Sequence, residues 1–168
     1  TDDLPEFTDY TMENRTYRYI KTKPLYPFGY GLSYVDFRIE NVSTDTELIT
    51  EKGIEISLDV TNTGDMKARD TIQAYVKAER EGTPNAQLKA FAKVELEPGQ
   101  TKTVKLHLGL EAFGLCDEDG ARRVEPGVYS IYVGDTQPDE RSIELTGKTP
   151  ARITVKASER YELEGIID

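Results

Sequence analysis

The stretch "IEISLDVTN" at residues 54–62 alternates apolar and polar side chains without interruption. In an extended chain Ile54, Ile56, Leu58 and Val60 share one face, and the polar residues between them share the other. This alternation predicts a strand with one buried and one solvated face. A half-buried strand needs neighbours in a sheet, so the flanking sequence should repeat the pattern.

Alternation does recur through most of the chain after Val35. It begins at Phe37-Arg38-Ile39-Glu40 and predicts further strands at 71–77, 88–96, 101–108, 128–133, 142–145 and 152–156, with a weaker one at 113–116. Turn sequences separate these strands, namely Asn62-Thr63-Gly64-Asp65, Glu97-Pro98-Gly99-Gln100, Asp119-Gly120 and Glu125-Pro126-Gly127. No helical repeat of useful length is present. The pattern predicts an all-β, immunoglobulin-like antiparallel sandwich, and a closed barrel is the alternative that strand count does not exclude.

Length and charge limit the classes of partner. The chain has 168 residues and a formal net charge of −10, which disfavours nucleic acid and anionic membrane surfaces and leaves neutral ligands or other proteins. No apolar run approaches the ~20 residues of a membrane helix. No targeting signal is recognisable. The chain starts with Thr1, and we expect it to be a fragment of a soluble protein. The sequence leaves a cytoplasmic and a secreted location open, and it is compatible with a bacterial origin.

Residues 1–34 differ from the rest, and we call them the arm. They contain six of the ten Tyr and two of the five Phe, without helical or strand periodicity. Pro24 and Pro27 interrupt any helix, and Gly29 and Gly31 allow backbone angles closed to other residues. Because exposed apolar patches of this size are normally interfaces, we expect the rings to be buried against something.

Several residue groups could suggest chemistry, and each has a simpler interpretation. Glu40, Glu55, Asp59 and Glu95 could supply a hydrolytic carboxylate pair, but they occupy polar strand positions where solvated acids are expected. Residues 117–120, Asp-Glu-Asp-Gly, predict a hairpin turn rather than a calcium loop, because the glycine comes too early. The only histidine, His107, is predicted to be exposed.

Two further features need a prediction. Cys116 lacks a partner for a disulfide or a zinc site and is predicted to be a small buried or half-buried residue. Residues 15–23 interleave four cations with aromatic residues, and we expect these cations to pair with acids of a neighbouring domain. We expect neither a metal nor another cofactor.

The chain resembles the C-terminal part of glycoside hydrolase family 3 enzymes of the β-glucosidase and β-xylosidase kind. The arm carries the longest match, Arg15-Thr16-Tyr17-Arg18-Tyr19 followed by Pro24-Leu25-Tyr26-Pro27-Phe28-Gly29-Tyr30-Gly31-Leu32-Ser33-Tyr34. Later matches resemble that family's fibronectin type III-like module: residues 60–65, 73–76, 88–91, 96–100, 126–129 and 133–135.

The resemblance implies a domain division and a role. Residues 1–34 would be an interdomain arm from a preceding α/β domain, 35–156 the fibronectin type III-like sandwich, and 157–168 a tail or the start of a next segment. The parent would be a retaining β-glycosidase acting on terminal β-linked sugars. In such enzymes the nucleophilic Asp, usually just before a Trp, lies in an N-terminal barrel, and the acid/base Glu lies in a following α/β domain. This chain has no Trp, so the nucleophile motif is absent, and no Glu of this chain corresponds to the acid/base. The chain would be a non-catalytic accessory domain.

Within the arm, the resemblance implies interdomain packing by Tyr26, Pro27, Phe28, Gly29, Tyr30, Gly31 and Tyr34 against the catalytic barrel and α/β domains. The alternative for one or two of these rings is stacking on an oligosaccharide at the active-site rim. The alternative for the whole chain is a free-standing carbohydrate- or protein-binding module.

Overall fold

A computed structural model describes residues 16–116 and 120–163, together with Thr8 and Asn14. Its regular elements are the strands β1 Phe37–Thr44, β2 Ile54–Asn62, β3 Ala68–Ala78, β4 Gln87–Leu96, β5 Thr101–Leu108, β6 Leu115–Cys116, β7 Arg122–Val124, β8 Gly127–Gly134, β9 Ala151–Ala157 and β10 Tyr161–Leu163, a 3-10 helix Leu110–Phe113 and one helix α1 Glu140–Thr146.

Two antiparallel sheets form the sandwich. The first has the strand order β1-β2-β5 and the second has the order β4-β3-β8-β9. A small third sheet has the strand order β10-β7-β6, and it includes residues of the predicted tail. The structure confirms the predicted all-β sandwich.

The core lies between the two larger sheets. The apolar phase of β2, residues 54, 56, 58 and 60, is at most 1% exposed, and Ile72, Ile131 and Val133 face it from the second sheet. Each such side chain contributes about 1.5 to 3 kcal/mol to folding when it is fully buried. Phe113, from the 3-10 helix, packs edge-to-face on Tyr129 with 5.6 Å between ring centroids.

Three local predictions need correction. Residues 142–145, predicted as a strand, belong to α1. Asp139 caps this helix by accepting a hydrogen bond from the Ser142 N–H at 2.7 Å, and Gly147 ends it with φ +69°. The two caps favour a helix here, although the short apolar and polar alternation predicted a strand. Of residues 113–116, only the second half is a strand. Cys116 is exposed, because the two-residue strand β6 turns Leu115 towards the interior instead.

Candidate functional site: the arm on the second sheet

Residues 17–20 of the arm are fixed by the loop before β4. Asn85 donates its backbone N–H to the Arg18 carbonyl at 2.7 Å. Its side-chain Nδ2 donates to the carbonyls of Tyr17 and Ile20, at 3.2 and 3.0 Å. One half-buried asparagine thus satisfies three carbonyl groups of an irregular segment, which holds the arm against the sandwich.

A second set of contacts comes from the region around α1. The Gln137 N–H donates to the Phe28 carbonyl at 3.3 Å, and Arg141 Nε donates to the Leu25 carbonyl at 3.4 Å. The Lys23 ammonium forms an ion pair with the Glu144 carboxylate. This hydrogen bond raises the pKa of Lys23 and lowers the pKa of Glu144. Lys23 therefore pairs within the chain, and the expected pairing with a neighbouring domain is wrong for this cation.

Gly29 lies directly on the outer face of β3. Its φ of +83° is open to glycine, and an added Cβ would lie 3.1 Å from Gln73 Nε2. Gln73 donates to the Asp135 carbonyl at 2.9 Å and accepts the Tyr75 hydroxyl at 2.6 Å. Tyr75 is 3% exposed, and its burial, with the nearby Asp139 charge, raises its pKa to about 12. A small polar layer is therefore sealed between the arm and the sheet, outside the main core.

The seven residues predicted to pack between domains fall into different environments. Pro27 is buried and Tyr30 is half-buried, whereas both glycines are exposed. Tyr26 and Phe28 are each 63% exposed, and Tyr34 is 98% exposed. The structure brings Tyr26 and Tyr30 together as stacked rings with centroids 5.4 Å apart, and it does not bring Tyr34 to them.

Two leucines that the sequence reasoning missed share this exposure. Leu25 is 74% exposed and Leu32 is 94% exposed. With Tyr26, Phe28 and Tyr34 they form what we call the arm face, five large apolar side chains within ten consecutive positions. Single exposed apolar residues are ordinary on protein surfaces, but such a concentration is not. The sequence did contain a signal for the exposure of these two leucines, because they stand among prolines and glycines, outside any amphipathic element.

A cleft of about 460 Å³ separates the arm from the second sheet and α1. Its walls include the aromatic residues Tyr17, Tyr26, Phe28 and Tyr132, and six charged residues, namely Lys21, Lys23, Lys77, Asp139, Glu140 and Arg141. Aromatic walls combined with polar groups are a feature of sites that bind small molecules.

The predicted carboxylates and His107 lie on the solvated strand faces, as expected. Asp59 accepts hydrogen bonds from Asn41 at 2.9 Å and Thr103 at 2.7 Å, and these bonds lower its pKa. The predicted turn at 117–120 lies mostly outside the described residues. Within the described ranges no three His, Cys, Asp or Glu side chains are grouped so as to hold a metal ion. No described helix is long and apolar enough to cross a membrane.

Comparison with known proteins supports both the fold and the resemblance. The fibronectin type III-like domain family matches residues 70–137. A β-xylosidase from Formosa agariphila is 36% identical over 137 residues, which is 79% of this chain and 19% of that enzyme. Thermostable β-glucosidase B from Acetivibrio thermocellus is 34% identical over 159 residues, 90% of this chain and 21% of the enzyme.

Solved structures agree with these relatives. The β-glucosidase from Kluyveromyces marxianus superposes with a TM-score of 0.74 at 32% identity, over 90% of this chain and 17% of that one. The chain spans about a fifth of the length of the curated relatives it matches. Two enzyme classes and a solved structure thus share one segment with this protein. The chain belongs to the family 3 glycoside hydrolases, as the segment that contains their fibronectin type III-like domain.

Proposed function

We propose that this chain is a non-catalytic accessory domain of a larger β-glycosidase, in which residues 1–34 connect a preceding α/β domain to the sandwich of residues 35–156. In this proposal the arm packs between the sandwich and the catalytic barrel and α/β domains. The substrates of the whole enzyme would be terminal β-linked sugars, as the names of its relatives indicate.

The observation that carries this proposal is the two-sided arrangement of the arm. Its inner side is held to the sandwich by Asn85, Gln73 and Gln137, while the five large apolar side chains of the arm face remain largely exposed. Interfaces are enriched in aromatic residues, and each ring gains about 1.5 to 3 kcal/mol when it is fully buried. A fixed backbone that presents exposed rings loses little conformational entropy on docking, which favours a permanent interdomain contact.

Catalytic competence tests the accessory role. The isolated 168-residue chain should not hydrolyse aryl β-glucosides or aryl β-xylosides above the buffer rate. Robust turnover that disappears when one carboxylate of this chain is replaced would show that the chain is itself an enzyme, contrary to the proposal.

The packing role has a matched test in a polypeptide that joins this chain to catalytic barrel and α/β domains. Phe28→Ser should lower the thermal midpoint of the joined protein and expose the arm to protease. Phe91→Ser is the control, because Phe91 is 59% exposed and lies on β4, outside the arm. Equal effects of the two substitutions on the joined protein would contradict a specific role of the arm face.

Sugar binding is the second candidate, and the cleft favours it. Tyr26 stacks on Tyr30 with one ring face and is 63% exposed, so its other face is open to a sugar ring. Titration of the isolated chain with cello- and xylo-oligosaccharides, followed by NMR, tests this. Shifts confined to the cleft and abolished by Tyr26→Ala would support an oligosaccharide contact at the rim, or a free-standing binding module. If no such shifts appear, the packing role is the remaining candidate function.

A further inference from the structure

Ion pairs neutralise many of the cations on this acidic chain. Lys67 pairs with Glu95, Arg152 with Glu79 and Arg160 with Glu125, among others. Other described cations form no such pair, among them Arg18, Arg80, Lys89 and Arg122. Within residues 16–116 and 120–163 none of these four has a carboxylate at ion-pair distance. What distinguishes these four cations is that they lie together.

These four cations line one cavity of about 250 Å³. The arm supplies Arg18, the turn after β3 supplies Arg80, β4 supplies Lys89 and β7 supplies Arg122. Glu81 is the one carboxylate among the described lining residues. Elements distant in sequence therefore converge to concentrate positive charge at one place.

The positive charges of this cluster repel one another unless a negative charge lies between them. Burial lowers the pKa of Lys89, and the positive charges of Arg18 and Arg122 lower it further. Like charges that face a shared cavity raise the free energy of the fold unless a negative charge lies between them. A bound anion would remove this repulsion, so part of its binding energy would come from the relief of a cost already present in the fold.

Hydrogen-bond donors are also available there. Arg18 Nη2 reaches Gln87 Oε1, and Arg122 Nη2 reaches the Glu111 carbonyl, both at a long 3.4 Å. Gln87, 8% exposed, has a buried Nε2 for which no described residue is an acceptor, and it lines a small adjoining cavity together with Lys89 and Gly114. Buried donors without acceptors are uncommon and indicate a missing partner. Guanidinium groups bind tetrahedral oxyanions through paired N–H donors.

We propose that this cavity binds a small oxyanion with two negative charges, a phosphate or sulfate group that is either free or attached to a sugar. The volume lies below the ~300 to 1,000 Å³ of common ligand sites, which suits one such group with at most a monosaccharide. The inference does not depend on the accessory role proposed above.

Calorimetric titration of the 168-residue chain with inorganic phosphate tests the proposal, with chloride used to hold the ionic strength constant. We expect saturable binding with a dissociation constant of about 1 mM or below. Lys89→Met should weaken it by about tenfold, because one charge-assisted contact is lost. Lys93→Met is the matched control, since Lys93 is exposed on the same strand and does not line the cavity. Arg80→Gln gives a second test at an exposed position of the same cavity, and it should also weaken phosphate binding.

The choice of anion identifies the source of the charged group. Tighter binding of glucose 6-phosphate than of inorganic phosphate would indicate a sugar phosphate, and equal binding would indicate the free ion. Binding of glucuronate as tight as that of phosphate would overturn the proposed requirement for two charges.

Three results would overturn the proposal itself. The first is the absence of phosphate binding to the wild-type chain. The second is equal binding by the Lys89→Met and Lys93→Met variants. The third is phosphate binding that appears only when residues 117–119 are neutralised together, because the chain's own acids would then occupy the cavity.

Discussion

The sandwich and the arm use apolar side chains in opposite ways. In the sandwich, Phe113 is 1% exposed and contacts Tyr129, whereas in the arm Phe28 is 63% exposed although the Phe28 carbonyl is fixed by a hydrogen bond. The sandwich is therefore stabilised by its side chains, and the arm is positioned through its backbone. The rings of the arm are therefore available to contact another surface, because the sandwich does not require them for its own packing.

The largest expected effect comes from replacing one phenylalanine in each region by alanine. Phe113→Ala should reduce the free energy of unfolding by about 3 to 5 kcal/mol, because it leaves a cavity in the core. Phe28→Ala should change it by about 0.5 kcal/mol or less, since the ring is mostly in water already. Chemical denaturation of the isolated chain measures both. Similar losses for the two variants would show that the arm is part of the folding core.

Two asparagines give the next comparison, beginning with the one in the sandwich. Asn62 is fully buried, and its Nδ2 donates to the carbonyls of Met66 and Leu96 at 2.9 and 3.0 Å. Asn62→Ala should cost about 2 kcal/mol, because two carbonyl groups lose their partner where water does not replace it. A cost below about 0.5 kcal/mol in the same denaturation experiment would contradict this.

Asn85 makes the same pair of bonds to the arm, but it is half-buried. Asn85→Ala should cost only about 1 kcal/mol or less, because water can reach the freed carbonyls. Hydrogen exchange should accelerate at the amides of Tyr19 and Ile20 and stay unchanged in β2 and β5. Acceleration throughout the sandwich would mean that the arm and the sandwich unfold as one unit.

The smallest expected effect lies where the two regions meet, at Asp70, which borders a depression shared with Gly29 and Tyr30. Burial raises the pKa of Asp70, the hydrogen bond from the Thr71 N–H opposes this, and the charge of Asp135 adds to it. A carboxyl whose pKa is higher in the folded chain than in the unfolded chain favours folding as the pH falls. The destabilisation caused by the charged carboxylate therefore has its full value at neutral pH. It decreases as the pH falls through the pKa of the folded chain.

Asp70→Asn should accordingly raise the stability at neutral pH by about 0.5 kcal/mol or less. The gain should vanish below the ordinary aspartate pKa of about 3.9. Thermal denaturation at neutral and acidic pH measures the difference, and Asp65→Asn, at an exposed position, is the control for charge alone. A variant that is less stable than the wild type at neutral pH would contradict the sign of this prediction.

Local pattern predicted most of the sandwich. The alternation at 54–62 and 101–108 marks β2 and β5 with the bounds that the structure has, because one face of each strand meets the core and the other meets water. The same rule failed at 142–145, where four residues are too few to distinguish a strand from a helical turn. The capping residues Asp139 and Gly147 were the better signal there.

The sequence by itself determined the alternating strands, the turns between them and the aromatic richness of the arm, because each depends on residues adjacent in the chain. Only the tertiary structure decided which arm residues face inward, with Pro27 buried and Tyr34 exposed. It also decided that Arg18, Arg80, Lys89 and Arg122 surround one cavity. These outcomes depend on contacts between distant segments, and the free energy of such contacts is set by the packed geometry rather than by any local period.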